Sequence, residues 1–175
     1  MAGRKIINTL LWLTLLLSYL SLNSCTVSYK FNGASINYNE IKTISIEGFP
    51  LRSAYVWAPM KSMFDNKLQD AFANQTKLSL VKRNADLQLS GEIIGYDQFN
   101  KSISASGYSS QTQLKMTVNV RFVNTKNHSQ DFERQFTATT DYDSSQQLSA
   151  VQSRLVEQMI EDLVDQIYNA TVVNW

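Results

Sequence analysis

Few residues in this chain could do covalent or acid–base chemistry. There is one cysteine, Cys25, and one histidine, His128. A histidine-based metal site or a nucleophile with its base needs several such groups held together. His128 stands instead in the polar turn Thr125-Lys126-Asn127-His128. Asp141 and Asp143 are close enough in sequence to be weighed as a catalytic pair, but are expected to point to opposite faces of an extended segment. No serine stands in a nucleophile-elbow context. The chain is therefore read as a non-enzyme, with no catalytic residue, no metal site and no cofactor.

Cys25 is where the sequence does support chemistry. Arg4 and Lys5 make a short positive start, Ile6 to Leu22 an apolar stretch, and Leu22-Asn23-Ser24-Cys25 closes it. That pattern is a secretory leader. The closing tetrapeptide resembles a bacterial lipobox, with Leu22 three places before the cysteine and the small Ser24 directly before it. Asn23 is a less usual occupant of the middle position. The resemblance implies a diacylated thiol, cleavage before Cys25 and acylation of the new amine, so that Cys25 becomes the first mature residue. The alternatives are a membrane-spanning anchor or a cleaved leader with a free thiol. A spanning helix needs about 17 to 25 mostly apolar residues, whereas Asn8, Thr9, Thr14 and Ser18 interrupt this stretch and no stop-transfer charges follow it. Lipidation contributes about 0.8 kcal/mol per buried CH₂, and more than one chain makes attachment lasting.

Three segments follow: a leader over 1–24, a lipid anchor and tether over 25–40, and one domain over 41–175. Removing the leader leaves 151 of the 175 residues, a common size for one domain with one core. The mature chain carries a net charge of −1 when its amine is acylated, so no nucleic acid is expected as a partner. With no cysteine beyond Cys25 there is no internal disulfide, and the core must hold the fold. Thr26, rather than Asp, follows the cysteine, and no acidic cluster comes after it. By the sorting habit of enterobacterial lipoproteins, this places the protein on the outer membrane, with its domain on the periplasmic side.

The pattern of the domain is strand, helix, three strands, helix. Lys42 to Gly48 alternates as a strand. Pro59 opens a helix whose stripe is Met60, Met63, Phe64, Leu68, Ala71 and Phe72. A short apolar run, Leu78 to Val81, precedes a long strand over 86–99 in which Gly91 and Gly95 mark a bulge or a close backbone approach. The cleanest period of two runs from Gln111 to Asn124, with Leu114, Met116, Val118, Val120 and Phe122 facing in. A serine-rich connection spans 100–110, and a further strand runs over 131–139. Ser149 and Gln152 look like a capping box for the last helix, whose stripe is Leu148, Val151, Leu155, Met159, Leu163 and Ile167. The expected fold is α+β, an antiparallel four-stranded sheet with two helices packed on one face, in the order β-α-β-β-β-α.

The lipobox, Lys42-Thr-Ile-Ser-Ile-Glu-Gly-Phe-Pro50, the run from Asn84 to Tyr96, Leu114 to Phe122 with Asn124-Thr-Lys126, and Asp141-Tyr-Asp-Ser-Ser145 together resemble the LptE family in its Bacteroidetes form. The resemblance implies an outer-membrane lipoprotein that plugs the LptD barrel, helps it assemble, and serves lipopolysaccharide transport to the cell surface. The implied partners are an LptD-like barrel, lipopolysaccharide, and the membrane through the lipid anchor. The domain would sit on the periplasmic side or within the barrel lumen. Lys101, Lys115, Arg121 and Lys126 lie on the hairpin strands and loops and are candidates for contacts with lipopolysaccharide or with the barrel. Phosphate needs such donors, although these side chains would equally solubilise the outer sheet face. The alternative is a periplasmic binding or chaperone-like lipoprotein with no tie to lipopolysaccharide, using an exposed sheet edge. Replacing Cys25 by Ser should abolish incorporation of labelled palmitate in cells; a C25S chain that still takes up label would put the acyl group elsewhere.

Overall fold

The computed structural model describes residues 36–103 and 109–173. The leader, Cys25 and the terminal Trp175 lie outside these residues.

The frame is a long antiparallel pair. Strand β3 runs over Leu87–Ile103 and β4 over Ser109–Asn124, in register from Leu87↔Asn124 to Ile103↔Ser109. On β4, Leu114, Met116, Val118, Val120 and Phe122 are all buried, as their alternation predicts, because successive side chains of a strand point to opposite faces. Strand β5, Phe132–Asp143, pairs antiparallel with β4 and adds Phe136, Ala138 and Tyr142 to the same face. The register shifts between Ile93 and Gly95. This is the bulge that the glycine pair marks, and past it Tyr96 takes over from Ile93 as the inward residue.

Two helices cover the inner face. Helix α1, Pro59–Gln75, begins at its proline and buries Met60, Phe64, Leu68, Ala71 and Phe72, with Met63 half-buried. Helix α2, Leu148–Tyr168, buries Leu155, Val156, Met159, Ile160, Leu163, Val164 and Ile167. The helices are joined by the Phe72–Tyr168 ring contact at 5.5 Å and, on their outer side, by Lys67 Nζ to Glu161 Oε1 at 2.6 Å.

The sheet differs from the expected four antiparallel strands. With β1 over Thr43–Ile46 and β2 over Ser79–Leu80, it has five strands in the order β2-β1-β3-β4-β5 and is mixed. Strand β1 lies parallel to both β3 and β2. The reason is the helix between β1 and β2: a crossover through α1 returns the chain to the end at which β1 began, which makes the neighbours parallel. The run from Leu78 to Val81 holds the fifth strand, whose two residues are too few to display a period.

Three further expectations are corrected. The strands reach into the serine-rich connection, pairing Asn100 with Thr112 and Ser102 with Gln111. β5 continues through Asp143, so Asp141 and Asp143, two apart on one strand, share a face rather than diverging. The capping box does not form. Helix α2 starts at Leu148 with no side-chain cap, and Gln152 is buried, its Nε2 donating to Tyr96 Oη at 3.1 Å.

Gly91 faces inward where the Phe49 ring packs, and Phe49 meets Phe64 of α1 at 5.0 Å. A Cβ on Gly91 would stand 2.2 Å from the Asn119 carbonyl oxygen and 2.4 Å from Phe49 Cε1. Neither neighbour can withdraw, because one is sheet backbone and the other a fully buried ring. Gly91→Ala should therefore lower stability by roughly 1–3 kcal/mol, the usual cost of overpacking. Gly95→Ala, whose closest contacts are at 3.3 Å, should cost clearly less. Urea unfolding of the two variants beside the parent chain checks the difference.

Candidate functional surface

The outer sheet face carries the polar side chains that alternate with the core. It includes Glu92 and Asp97 on β3, Gln113, Lys115, Thr117, Asn119 and Arg121 on β4, and Glu133, Gln135, Thr137 and Thr139 on β5. Cross-strand contacts knit it together: Asn119 Nδ2 donates to Glu133 Oε1 at 2.9 Å, Gln113 Nε2 to Asp141 Oδ1 at 3.2 Å, and the hydroxyls of Thr117 and Thr137 lie 3.4 Å apart. Such pairs stabilise a register and leave a patterned polar surface. Both helices pack on the other face. Phe99, 49% exposed, is a large apolar side chain on this surface.

The four candidate cations do not converge. Lys115 and Arg121 lie on the outer face of β4, six residues apart on one strand, and neither makes an ion pair among the described residues. Lys101 pairs with Asp141 near the hairpin tip, and this contact holds the Asp141 carboxyl below its ordinary range. Lys126 stands at the opposite end of the sheet, its Nζ 3.2 Å from Asp86 Oδ1. No single phosphate could meet all four. Asp141 and Asp143 are also engaged, Asp141 by Lys101 and Gln113 and Asp143 by the Ser145 backbone N–H at 2.8 Å. Among the described residues there is no group of three or more His, Cys, Asp or Glu placed to hold a metal.

The hairpin end of the inner face holds a feature the sequence reading did not single out. Tyr55 stacks on Tyr96 with ring centroids 5.5 Å apart, and the two help line a cleft of about 310 Å³ with Gln98, Leu114 and Leu148. Burial pushes the Tyr96 phenol up from its ordinary value. Gln98 Nε2 donates to Tyr142 Oη at 2.8 Å, so both amides above the core are partnered by phenols. The signal lay in the loop Ala54-Tyr55-Val56-Trp57, an apolar run just before Pro59 that belongs to no periodic element. Tyr55 is 50% exposed and Val56 61% exposed.

At the far end, Asp86 ties three segments together. Its Oδ2 accepts from the backbone N–H groups of Lys42 at 2.9 Å and Thr43 at 3.1 Å and from the Thr43 hydroxyl at 2.9 Å, while Oδ1 faces Lys126. The Lys42 bond leads in drawing the carboxyl from its ordinary 3.8 down to about 2, with Thr43 and Lys126 adding to it.

An α+β domain with two helices on one face of a mixed sheet and a patterned polar second face is the class of architecture in hand, and its sequence matches a known family. The family model for LptE, described as lipopolysaccharide-assembly, matches residues 41–171. The chain belongs to the LptE family. Among solved structures it is similar to rare lipoprotein B from Shewanella oneidensis, with 16% identity, TM-score 0.51, and coverage of 73% of this chain and 92% of that one. A hypothetical protein from Chlamydia trachomatis gives TM-score 0.52 at 8% identity, covering 74% of this chain and 97% of that one. At such identities the likeness is one of fold. No curated protein sequence matches the chain. No helix among the described residues is long and apolar enough to cross a membrane.

The Asp86 cluster sets a pH dependence. A carboxyl whose folded value lies below its unfolded one contributes stability that is fully present above the unfolded value and is lost as pH falls through the folded one. Here that window runs from about pH 4 down to pH 2, and the linked contribution is about 2 kcal/mol. Thermal unfolding followed from pH 7 to pH 2 should show a steeper acid loss for the parent chain than for Asp86→Asn, which should start less stable at neutral pH and converge with the parent near pH 2.

Proposed function

We propose that this protein is a lipid-anchored, non-enzymatic lipoprotein of lipopolysaccharide assembly that occupies the lumen of an LptD-like outer-membrane barrel and helps that barrel assemble. Family membership over residues 41–171 is one support for this reading. The observation that carries it is the polar face of β3, β4 and β5. A large barrel has a polar interior and an apolar outer band about 25 Å tall, and a plug must fill that interior without presenting an apolar patch to it. The 17 residues of β3 at about 3.3 Å each make a ladder of roughly 55 Å, longer than such a band is tall. Lys115 and Arg121, which have no ion-pair partner among the described residues, are proposed as the lumen or lipopolysaccharide contacts on this face. Lys101 and Lys126 would have to leave Asp141 and Asp86 to serve the same role.

Purification from outer membranes in mild detergent should bring down a stoichiometric large barrel protein. A photo-crosslinker at Thr117, on the sheet face, should capture that barrel. The double variant Lys115→Glu/Arg121→Glu should reduce the recovered barrel several-fold while the unfolding midpoint stays within a few degrees, since surface charges contribute little to stability. Recovery of the lipoprotein alone at native expression, with no crosslink from Thr117, would count against the barrel and favour an independent periplasmic binding protein.

A further inference from the structure

The end of the sheet where the chain enters the domain is set apart by charge. Lys42 precedes β1, Lys77 precedes β2, Lys82 and Arg83 lie in the connection from β2 back to the start of β3, and Lys126 follows β4. All five are exposed. The register brings them together: Thr43 pairs with Ser79, Ile44 with Leu87 and Leu87 with Asn124, while Asp86 bridges the Lys42 backbone to Lys126. The carboxylates at this end are Glu40, Asp86 and Asp131, and the last two are engaged by Lys126 and His128. Five cations thus face three carboxylates here, whereas the rest of residues 36–173 holds eight cations against twelve carboxylates. Lys42, Lys77, Lys82 and Arg83 make no ion pair among the described residues, and Lys77 lies over the Tyr38 ring at 5.8 Å.

A net-negative domain with one cationic end is polarised, and that end is also where the chain from Cys25 arrives. Ile36 and Ile41 are buried in the core, and Ile41 leads directly into Lys42. Ile36 comes eleven positions after Cys25, a span of about 40 Å at most. We infer that this basic end is a membrane-contact surface, which seats the domain upright on the phosphate headgroups of anionic phospholipid through Lys42, Lys77, Lys82 and Arg83, with Lys126 beside them on Asp86. The tether alone restricts distance but not orientation. Cations near an anionic bilayer surface are attracted within about a Debye length, and grouping them at one end fixes which end faces down. Tyr38 beside Lys77 suits the same boundary, where amphipathic rings collect. The inference leans on the lipid-anchor reading of Cys25, and the two can fail separately.

The test is lysine footprinting by mass spectrometry on the full-length protein purified from membranes. The protein is added to vesicles of phosphatidylcholine alone, or of phosphatidylcholine with roughly 30% phosphatidylglycerol, and acetylated briefly. Lys42, Lys77, Lys82 and Lys126 should be acetylated at least about threefold more slowly on the anionic vesicles, with the protection lost in high salt. Lys61, Lys101 and Lys115 should react equally on both. In Lys77→Glu/Lys82→Glu/Arg83→Glu, protection of Lys42 and Lys126 should disappear. Equal acetylation on the two vesicle types, or protection indifferent to salt and to charge reversal, would overturn the membrane-contact surface. The peptide bearing Cys25, read in the same spectra, reports the anchor: without acyl mass the anchor reading falls, while the lysine pattern on anionic vesicles still decides the basic end.

Discussion

One-sided burial is the constraint on which the rest of this molecule depends. The inner residues of β3, β4 and β5 meet two amphipathic helices, and the strand period then obliges every intervening residue to point away from them. Where the inner set is Leu114, Met116, Val118, Val120 and Phe122, the outer set is Gln113, Lys115, Thr117, Asn119 and Arg121. The surface proposed for function is thus the complement of the core, and its polarity follows from the strand period. A slip of one residue would exchange the two sets. The cross-strand contacts Asn119–Glu133 and Thr117–Thr137 oppose such a slip from the outside, as the packing of Phe49 against Gly91 does from the inside.

The glycines divide this labour. Gly91 creates the space that lets Phe49 reach the sheet and carry the contact to Phe64. Gly95 closes a bulge that turns the far half of β3, so that Tyr96 faces Gln152 and Tyr55. The cleft at the hairpin end therefore exists because one residue too many sits between Ile93 and Gly95. Bulges commonly re-aim side chains near functional sites. Here the bulge converts an aliphatic core into one edged by phenols and amides.

How far the sequence could be read follows from where each signal resides. β4 was legible because its alternation is unbroken over nine residues, and α1 because Pro59 and the spacing of Met60, Phe64 and Leu68 agree. β2 was not, since two residues carry no period and its pairing with β1 is settled by a crossover rather than by local pattern. Serine composition hid the ends of β3 and β4, because composition registers solvation while strand extent is set by the partner opposite. The pattern Ser149 to Gln152 satisfied a local capping rule, yet a buried phenol, Tyr96, claimed the amide instead. The candidate cations were visible as charges and invisible as partners: Lys101 meets Asp141 and Lys126 meets Asp86, each forty residues away. The Tyr55 cleft escaped for the same reason, its two rings being forty-one positions apart and joined only by the fold.

The long axis of the sheet gives these parts an order. The cationic end and the entry of the chain coincide, the polar ladder rises from there along β3 and β4, and the phenol-lined cleft stands at the hairpin tip. If the cationic end rests at the headgroups, the tip stands roughly 50 Å away along the strands, more than the roughly 30 Å thickness of a hydrocarbon core. A domain whose base is held at headgroup level in the periplasmic mouth of a barrel would be tall enough to present its polar face along the lumen, whereas one seated on open bilayer would project into the periplasm, so the two contacts would belong to successive positions of one tethered domain. The same domain lying on its side would bring the acidic outer side of α2, with Glu157, Glu161 and Asp165, against anionic headgroups, an arrangement that like-charge repulsion disfavours. Charge at one end and polarity along one face are thus separate features, the first bearing on how the domain would meet a bilayer and the second on how it would meet a lumen.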